Sequence, residues 1–250
     1  RALAAFDLFD LDGRGAIGLA AARGLAAAGR RVTLVERGRP GEEATRAAGG
    51  MLSPLAESPE PGPFLRLGLD SLALWPSFAA QLEEATGLNL DLRTDGKLLL
   101  ALDTPAAERL HRRGEWASRE GLATSWLEGA SLREREPAAA AAVAGLHLEC
   151  DGQVDNRTLA HALTQAAAAA GCVILPGASA HTLITSAGRV CGIRTEDGSE
   201  HTADVVLLAA GAWSGRLSGL PRSLPVRPVK GQMVALVLET AVVRTTLETE

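Results

Sequence analysis

The period of the apolar positions changes several times along the chain, and each change marks an element. Phe9 to Arg37 reads FDLDGRGAIGLAAARGLAAAGRRVTLVER and parses as strand, glycine turn, helix, short turn, strand and closing acid. Ala16 to Ala28 is small, apolar and helix-forming, with Gly29 placed as a C-terminal cap. Val32, Leu34 and Val35 make the second strand, which Glu36 ends. Helical spacing of Leu65, Leu69, Leu72, Leu74, Phe78 and Leu82 predicts a long helix from Phe64 to Thr86, with a possible kink at Pro76. Leu88 to Leu92 and Lys97 to Leu102 read as two strands joined at Asp95-Gly96. A helix from Pro105 to Glu120 and a short one near Ser131 to Glu136 follow, and then a strand from Leu146 to Cys150 and a turn at Asp151-Gly152.

The second half repeats this grammar. Asn156 is expected to cap a helix over Arg157 to Ala170, and Cys172 to Leu175 is a buried strand. His181 to Thr185 and Val190 to Thr195, with turns at Ala187-Gly188 and Asp197-Gly198, predict a small antiparallel meander. Asp204 to Ala210 (DVVLLAA) reads as a second strongly buried strand, followed by Gly211-Ala212-Trp213-Ser214, and Met233 to Leu238 as a last strand.

Composition narrows the class. The 250 residues are 46% hydrophobic, enough for a proper core. A net charge of −5 provides no basic footprint, so neither nucleic acid nor an anionic membrane is an expected partner. Cys150, Cys172 and Cys191 are too few and too far apart for a metal or redox motif. They are expected to be reduced, in a cytoplasmic protein. No apolar run is long enough to span a bilayer, and no signal peptide is visible. None of His111, His147, His161, His181 and His201 forms a triad or a metal spacing.

The chemistry is carried by the first stretch. Gly13, Gly15 and Gly18 have the G-x-G-x-x-G spacing, which permits the tight turn, close approach to a pyrophosphate, and helix packing on strand. The helix N-terminus favours an anion there. Glu36, about 20 residues on, can accept both hydroxyls of an adenosine ribose, which leaves FAD and NAD open and argues against a 2′-phosphate. Two acids interrupt the pattern: Asp10 and Asp12 share one face of a strand that should be apolar, and Arg14 occupies the turn. Asp10, Asp12, Gly15 and Ile17 also imitate part of a calcium loop, although Arg14 and Ala21 stand at ligand positions. Asp10-Leu11-Asp12-Gly13 looks like the nucleophile motif of haloacid-dehalogenase-type phosphatases, without a convincing later acidic pair.

Four stretches in order complete a family likeness: the glycine turn with Glu36-Arg37, the run AAGGMLSP from Ala47 to Pro54, Gly152-Gln153-Val154-Asp155, and AAGAWS from Ala209 to Ser214 followed by Pro228-Val229-Lys230-Gly231-Gln232. The chain resembles the D-amino-acid-oxidase superfamily of FAD enzymes, most closely the glycine oxidases of thiamine biosynthesis. The resemblance implies an α/β fold, with a Rossmann-like FAD-binding domain of glutathione-reductase type and an inserted mixed-sheet substrate domain. Residues 1–86 and 151–220 are expected to form the FAD-binding domain, and residues 87–150 and 221–250 the substrate domain. Gly13, Gly15, Ala16, Ile17 and Gly18 would hold the pyrophosphate, Glu36 the ribose with Arg37 beside it, and Ala44 and Thr45 the phosphate or ribityl chain. Gly49, Gly50 and Met51 would lie along the isoalloxazine, Ala180 would touch the adenine through its backbone, and Gly211 would close the crevice.

The implied activity is oxidative deamination of glycine or a small amino acid, with hydrogen peroxide as product, in an enzyme expected to be a homo-oligomer. Sarcosine oxidase, D-amino-acid dehydrogenase and a non-catalytic FAD-binding remnant stay open as alternatives. Family members continue beyond the point matching Glu250 and supply there the arginine that clamps the substrate carboxylate. The sequence contains no Tyr to match the family's active-site tyrosine. No catalytic residue is therefore assigned.

Overall fold

The computed structural model describes residues 15–237, 239, 240 and 242–250. The expected first strand, with Asp10, Asp12, Gly13 and Arg14, lies outside the described residues, as does Leu238. In chain order the elements are α1 (Ala16–Ala27), β1 (Thr33–Glu36), α2 (Ala44–Ala47), β2 (Met51–Leu52), α3 (Pro63–Thr86), β3 (Lys97–Ala101), α4 (Thr104–Arg119), β4 (Thr124–Glu128), α5 (Gly129–Arg135), β5 (Ala144–Leu148), β6 (Gly152–Gln153), α6 (Asn156–Ala169), β7 (Val173–Pro176), β8 (Ala180–Ser186), β9 (Arg189–Thr195), β10 (Glu200–Thr202) and β11 (Thr246–Thr249). They form two compact units. One comprises residues 15–48, 81–90 and 156–233, and the other residues 49–80, 91–155 and the described part of 234–250.

In the first unit β1 and β7 pair in parallel, from Thr33 opposite Val173 to Glu36 opposite Pro176. Helices α1 and α6 pack on each other. Their buried faces are small: Gly18, Leu19, Ala22 and Ala26 on α1, with Ala160, Ala162, Leu163 and Ala167 among those on α6. Side chains of that size let two helix backbones approach closely. Gly29, at a φ of 77°, ends α1, and the Arg30 N–H bonds back to the Leu25 carbonyl, satisfying a terminal acceptor. Strands β8, β9 and β10 form the expected antiparallel meander. Leu183 and Ile193 from it bury against Val35, Ala203, Ala210 and Leu217.

The second unit is built on a four-stranded sheet in the order β11-β3-β5-β4, with β11 parallel to β3 and the other pairs antiparallel. Every residue of β3 and β5 is buried. Alternation explains why. Leu99 and Ala101 enter a cluster with Leu55, Leu65, Ala106 and Leu110, whereas Leu98 and Leu100 pack with Leu132 and Ala139. Both faces of the strand are covered, so a continuous apolar run is required.

Several expected strands form differently. Leu88 to Leu92 is not a strand: the Leu90 N–H bonds to the Glu83 carboxylate, and Asp91 has a φ of 47°, which breaks an extended run. Strand β4 was hidden because its polar TSWLE pattern lacks an apolar face. Strand β5 begins two residues before the expected Leu146. Asp204 to Ala210 has no ladder partner among the described residues. Val206 and Leu208 pack on the first unit's core while Val205 and Leu207 face outward, so half of the apolar run is covered. Met233 to Val237 is exposed and outside any ladder, and the closing strand is β11 instead. Its approach is fixed by Glu136, a fully buried carboxylate that accepts the Arg244 N–H at 2.7 Å and the Thr245 N–H at 3.3 Å. Asn156, expected to be a cap, is the first residue of α6, and its side-chain amide donates to the Thr45 carbonyl.

The loop before α2 depends on a close approach. Gly41 has a φ of 82°, and a Cβ there would fall 2.6 Å from the Ala160 Cβ on α6. Gly29 has a similar φ with open space around it. Gly29→Ala is expected to cost about 1 kcal/mol from the backbone conformation alone. Gly41→Ala should cost about 2–3 kcal/mol, because clash adds to it. Urea unfolding of the two variants beside the parent protein measures the difference, and equal costs would contradict the contact.

Candidate functional site

In the first unit the glycine turn ends on a helix that its own sequence leaves uncapped. Gly15 is the extended N-cap residue of α1, makes no side-chain capping bond, and no acid stands in the first turn. The Ala16 N–H donates to Thr45 Oγ1 at 3.0 Å, across 29 residues. A Cβ added at Gly15 would meet Thr45 Oγ1 at 3.7 Å, an ordinary van der Waals contact. Ile17 is 79% exposed and Gly18 is buried. Ala44 and Thr45 open α2, which also packs on α6.

Glu36 is fully buried at the end of β1, where its Oε1 accepts the Gly38 N–H at 2.9 Å. The next residue, Arg37, lines a cavity of about 290 Å³ together with Ala180, His181, Glu196, Trp213 and Arg216. The guanidinium carbons of Arg37 and Arg216 lie 5.4 and 4.2 Å from the centre of the Trp213 ring. Guanidinium planes and indole faces both stack on flat heterocycles. Gly211, at a φ of 50°, opens the short 3₁₀ turn that carries Trp213 and Arg216.

In the second unit the glycine-rich run is held entirely by backbone and long-range side chains. Strand β2 pairs antiparallel with β6, Met51 opposite Gln153 and Leu52 opposite Gly152. Gln153 Nε2 donates to the Gly49 carbonyl at 3.2 Å, and the Val154 N–H donates to the Gly50 carbonyl at 2.9 Å. Gly50 has a φ of 71°, a conformation that favours glycine. Met51 is 48% exposed. Beyond it, the buried Asp151 carboxylate accepts the Leu55 and Ala56 N–H groups at 3.2 and 3.1 Å.

Lys97 adds a buried charge that the apolar pattern of its strand does not announce. It is 1% exposed, its ammonium pairs with the Glu248 carboxylate, and it lies 3.4 Å from Met51 Sδ and 3.5 Å from Ser53 Oγ. Burial raises the Asp151 carboxyl above its ordinary value, opposed by the Ala56 and Leu55 N–H bonds and then by Lys97. The neighbouring Cys150 thiol is pushed up to about 12, chiefly by burial and then by the Asp151 charge, so it stays protonated and unreactive. All three cysteines are free. Among the described residues no group of His, Cys, Asp and Glu is arranged to hold a metal ion, and no helix is long and apolar enough to cross a membrane.

A family model described as FAD dependent oxidoreductase matches residues 13–247. The chain belongs to this family, and FAD is the family's cofactor. The glycine oxidase of Geobacillus kaustophilus is 35% identical over 239 residues, covering 94% of this chain and 63% of that protein. The bifunctional protein ThiO/ThiG of Synechocystis is 37% identical over 90% of this chain and 32% of its own length. A crystal structure of glycine oxidase from Geobacillus kaustophilus superposes with a TM-score of 0.80 at 32% identity, over 86% of this chain and 58% of that one. The chain thus spans less than two thirds of the length of each of these relatives. L-proline dehydrogenase from P. horikoshii, with a TM-score of 0.73 at 19% identity, shares the fold.

The structure thus brings Gly15 and Ala16 together with Thr45, and Arg37 together with Ala180. It places Glu36 at its strand end and ties Gly49, Gly50 and Met51 to the Gly152-Gln153 strand. Gly13 lies outside the described residues. Sequence reasoning missed Arg216, Lys97 and the anchoring role of Asp151. A lysine heading a run of buried leucines was the available signal for Lys97.

The raised Asp151 carboxyl sets a pH dependence. The folded protein holds this proton where the unfolded chain has released it, so the group's contribution is fully present below the ordinary carboxylate range. It is lost as the pH rises from that range through the raised value. Asp151→Asn is expected to flatten this decline and to leave one of the two N–H groups poorly paired, at a cost of about 1–3 kcal/mol. Urea midpoints across that pH range test both, and an unchanged slope would assign the dependence elsewhere.

Proposed function

We propose that the chain binds FAD and supports oxidative deamination of glycine or another small amino acid to the imine and 2-oxo acid, with hydrogen peroxide formed, in thiamine biosynthesis. The observation that carries this reading is the uncapped start of α1 beside Thr45, followed by a strand that ends on the buried Glu36. The donor set fits the cofactor: backbone N–H groups of a helix with no acid in its first turn for the pyrophosphate, and a carboxylate for the ribose hydroxyls. The cavity beside Arg37 and Ala180 is polar-lined and suits an adenine.

In this reading Gly13, Gly15, Ala16, Ile17 and Gly18 hold the pyrophosphate, and Ala44 and Thr45 the phosphate or ribityl chain. Thr45 has a second task, because its hydroxyl accepts the Ala16 N–H and fixes the distance between helix and loop. Gly49, Gly50 and Met51 lie along the isoalloxazine; the absence of side chains at the first two lets backbone approach a flat ring. Gly211 closes the crevice. Residues 1–86 and 151–220 serve the cofactor, and residues 87–150 and 221–250 the substrate. When bound, FAD supplies the hydride acceptor for the amino-acid α-carbon. The protein's share is to bind, orient and keep water from the reacting carbon. The names of the glycine oxidases and ThiO/ThiG proteins support the choice of glycine and of the pathway.

Visible absorption of the purified chain, before and after FAD and then glycine, tests the proposal. Bound-flavin bands with FAD, bleaching by glycine and peroxide above a glycine-free control are the expected results. Glu36→Ala should weaken FAD binding about tenfold or more, through loss of charge-assisted bonds to the ribose. A protein that stays colourless with excess FAD would sink the reading. Bound flavin that ignores glycine would leave the cofactor assignment and remove the oxidation.

A further inference from the structure

Arg216 is an exposed residue on a backbone that is tied down on both sides. It closes the short 3₁₀ turn Gly211–Arg216, in which Ser214 Oγ donates to the Gly211 carbonyl at 2.9 Å. Ser214 before it and Leu217 after it are buried. The next residue joins the turn to β8: the Ser218 N–H donates to the His181 carbonyl at 3.0 Å, and the Leu183 N–H donates to the Ser218 carbonyl at 2.9 Å. Arg216 is thereby held next to Ala180 and His181, with which it lines the cavity of about 290 Å³.

Its side chain departs from the habit of its neighbours. Arg37, Arg39 and Arg194 of the same unit each pair with a carboxylate, on Glu43, Glu42 and Glu200. Among the described residues no carboxylate pairs with Arg216, and its guanidinium carbon lies 4.2 Å from the centre of the Trp213 ring instead. An arginine without a partner loses up to about 2 kcal/mol of rotamer entropy when a ligand fixes it. The half-buried indole limits that freedom beforehand, which is preorganisation. A guanidinium is planar and weakly hydrated and stacks on aromatic rings, so the pair presents a prepared surface to a flat heterocycle. The cavity is close to the lower limit of small-molecule sites, about 300 Å³, and suits one base better than a whole dinucleotide.

We propose that Arg216, seated on Trp213, is a cofactor-binding residue that stacks on the adenine of FAD. The inference rests on the reading of the chain as an FAD enzyme with its adenine in this cavity. The guanidinium acts through its plane: an ammonium at the same position keeps the charge and offers nothing to stack on. Its contribution belongs to the adenine end alone, so ADP gains from it as FAD does.

FAD, followed by flavin fluorescence, and ADP, followed by calorimetry, are titrated into the full chain as parent, Arg216→Ala and Arg216→Lys. Arg216→Ala should weaken both ligands by a similar factor, about fivefold or more. Arg216→Lys should recover little of that loss. The thermal midpoint of the ligand-free chain should stay the same in both variants, because the side chain is exposed. Parent-like affinity in Arg216→Lys would make the residue a point charge and overturn the stacking role. A loss for FAD without one for ADP, unchanged affinities in Arg216→Ala, or a lowered ligand-free midpoint would overturn it as well. A parent chain that binds neither ligand would overturn this assignment and the proposed function together, whereas bound FAD and ADP indifferent to Arg216 would count against this assignment alone.

Discussion

A glycine-rich segment has no side chains with which to hold itself, so its backbone groups must be held by others. That constraint governs the stretch from Gly49 to Ala56. Gln153 takes the Gly49 carbonyl, the Val154 N–H takes the Gly50 carbonyl, and Asp151 takes two successive N–H groups at Leu55 and Ala56. Buried backbone groups left without partners would each cost about 1–3 kcal/mol, so the Asp151 bonds allow the Leu55–Ala56 end of the segment to be buried. The consequence reaches along the chain: a glycine-rich loop is fixed by a strand about a hundred residues later. The Ala47 to Pro54 run and the Gly152 to Asp155 run belong together for that reason.

The same economy appears in the closing strand. Glu136 accepts backbone N–H groups from Arg244 and Thr245, and Thr245 Oγ1 donates to the Gly96 carbonyl. Thr246 Oγ1 donates to Gln153 Oε1. The strand that carries Glu248 is therefore located by buried acceptors before its own ladder with β3 is counted. Gln153 contributes to both systems, giving its amide N–H to Gly49 and its carbonyl to Thr246, and so couples the glycine-rich run to the strand bearing the counter-ion of Lys97.

What could be read from the sequence was local. The period of α1, the residues of α6, the β8–β9 meander and the buried strands β1 and β3 follow from patterns within a few residues of each element, whereas β7, expected to be buried, forms as a strand with Val173 and Pro176 exposed and Ile174 and Leu175 half-buried. The family likeness was equally legible, since it rests on short runs quoted in order. Long-range polar bonds were not legible. Nothing near Asp151 announces that it faces Leu55, and Glu136 carries no mark of a partner over a hundred residues away. The misread segments divide by the same rule. Leu88 to Leu92 has the apolar residues of a strand, yet Glu83 and the left-handed Asp91 divert it, whereas β4 has a polar pattern and becomes a strand because β5 offers it a ladder.

Both units bury carboxylates, Glu36 in the first and Asp151 and Glu136 in the second, but they hold charge by different means. In the first, α1 and α6 pack largely through small side chains, and the start of α1 has no acid in its first turn and is capped only from a distance, by the Thr45 hydroxyl. Its electrostatic resource is the backbone itself, whose N–H groups and dipole attract an anion without any side-chain cation. In the second, Lys97, Asp151, Glu136 and His147 are all buried within or beside a sheet whose strands are otherwise apolar. Asp151 and Glu136 are matched mainly by backbone N–H groups, and His147 lies 3.1 Å from the Asp95 carbonyl and 2.9 Å from the Arg135 guanidinium. Each of these three is explained by the chain segment it holds in place. Lys97 is held by side chains: its ammonium pairs with the Glu248 carboxylate and lies near Met51 Sδ and Ser53 Oγ. Buried charge that fixes backbone is architecture. Lys97 instead ties β3 to side chains of β11 and of the 51–53 segment, and that distinction separates it from the rest of the polar core.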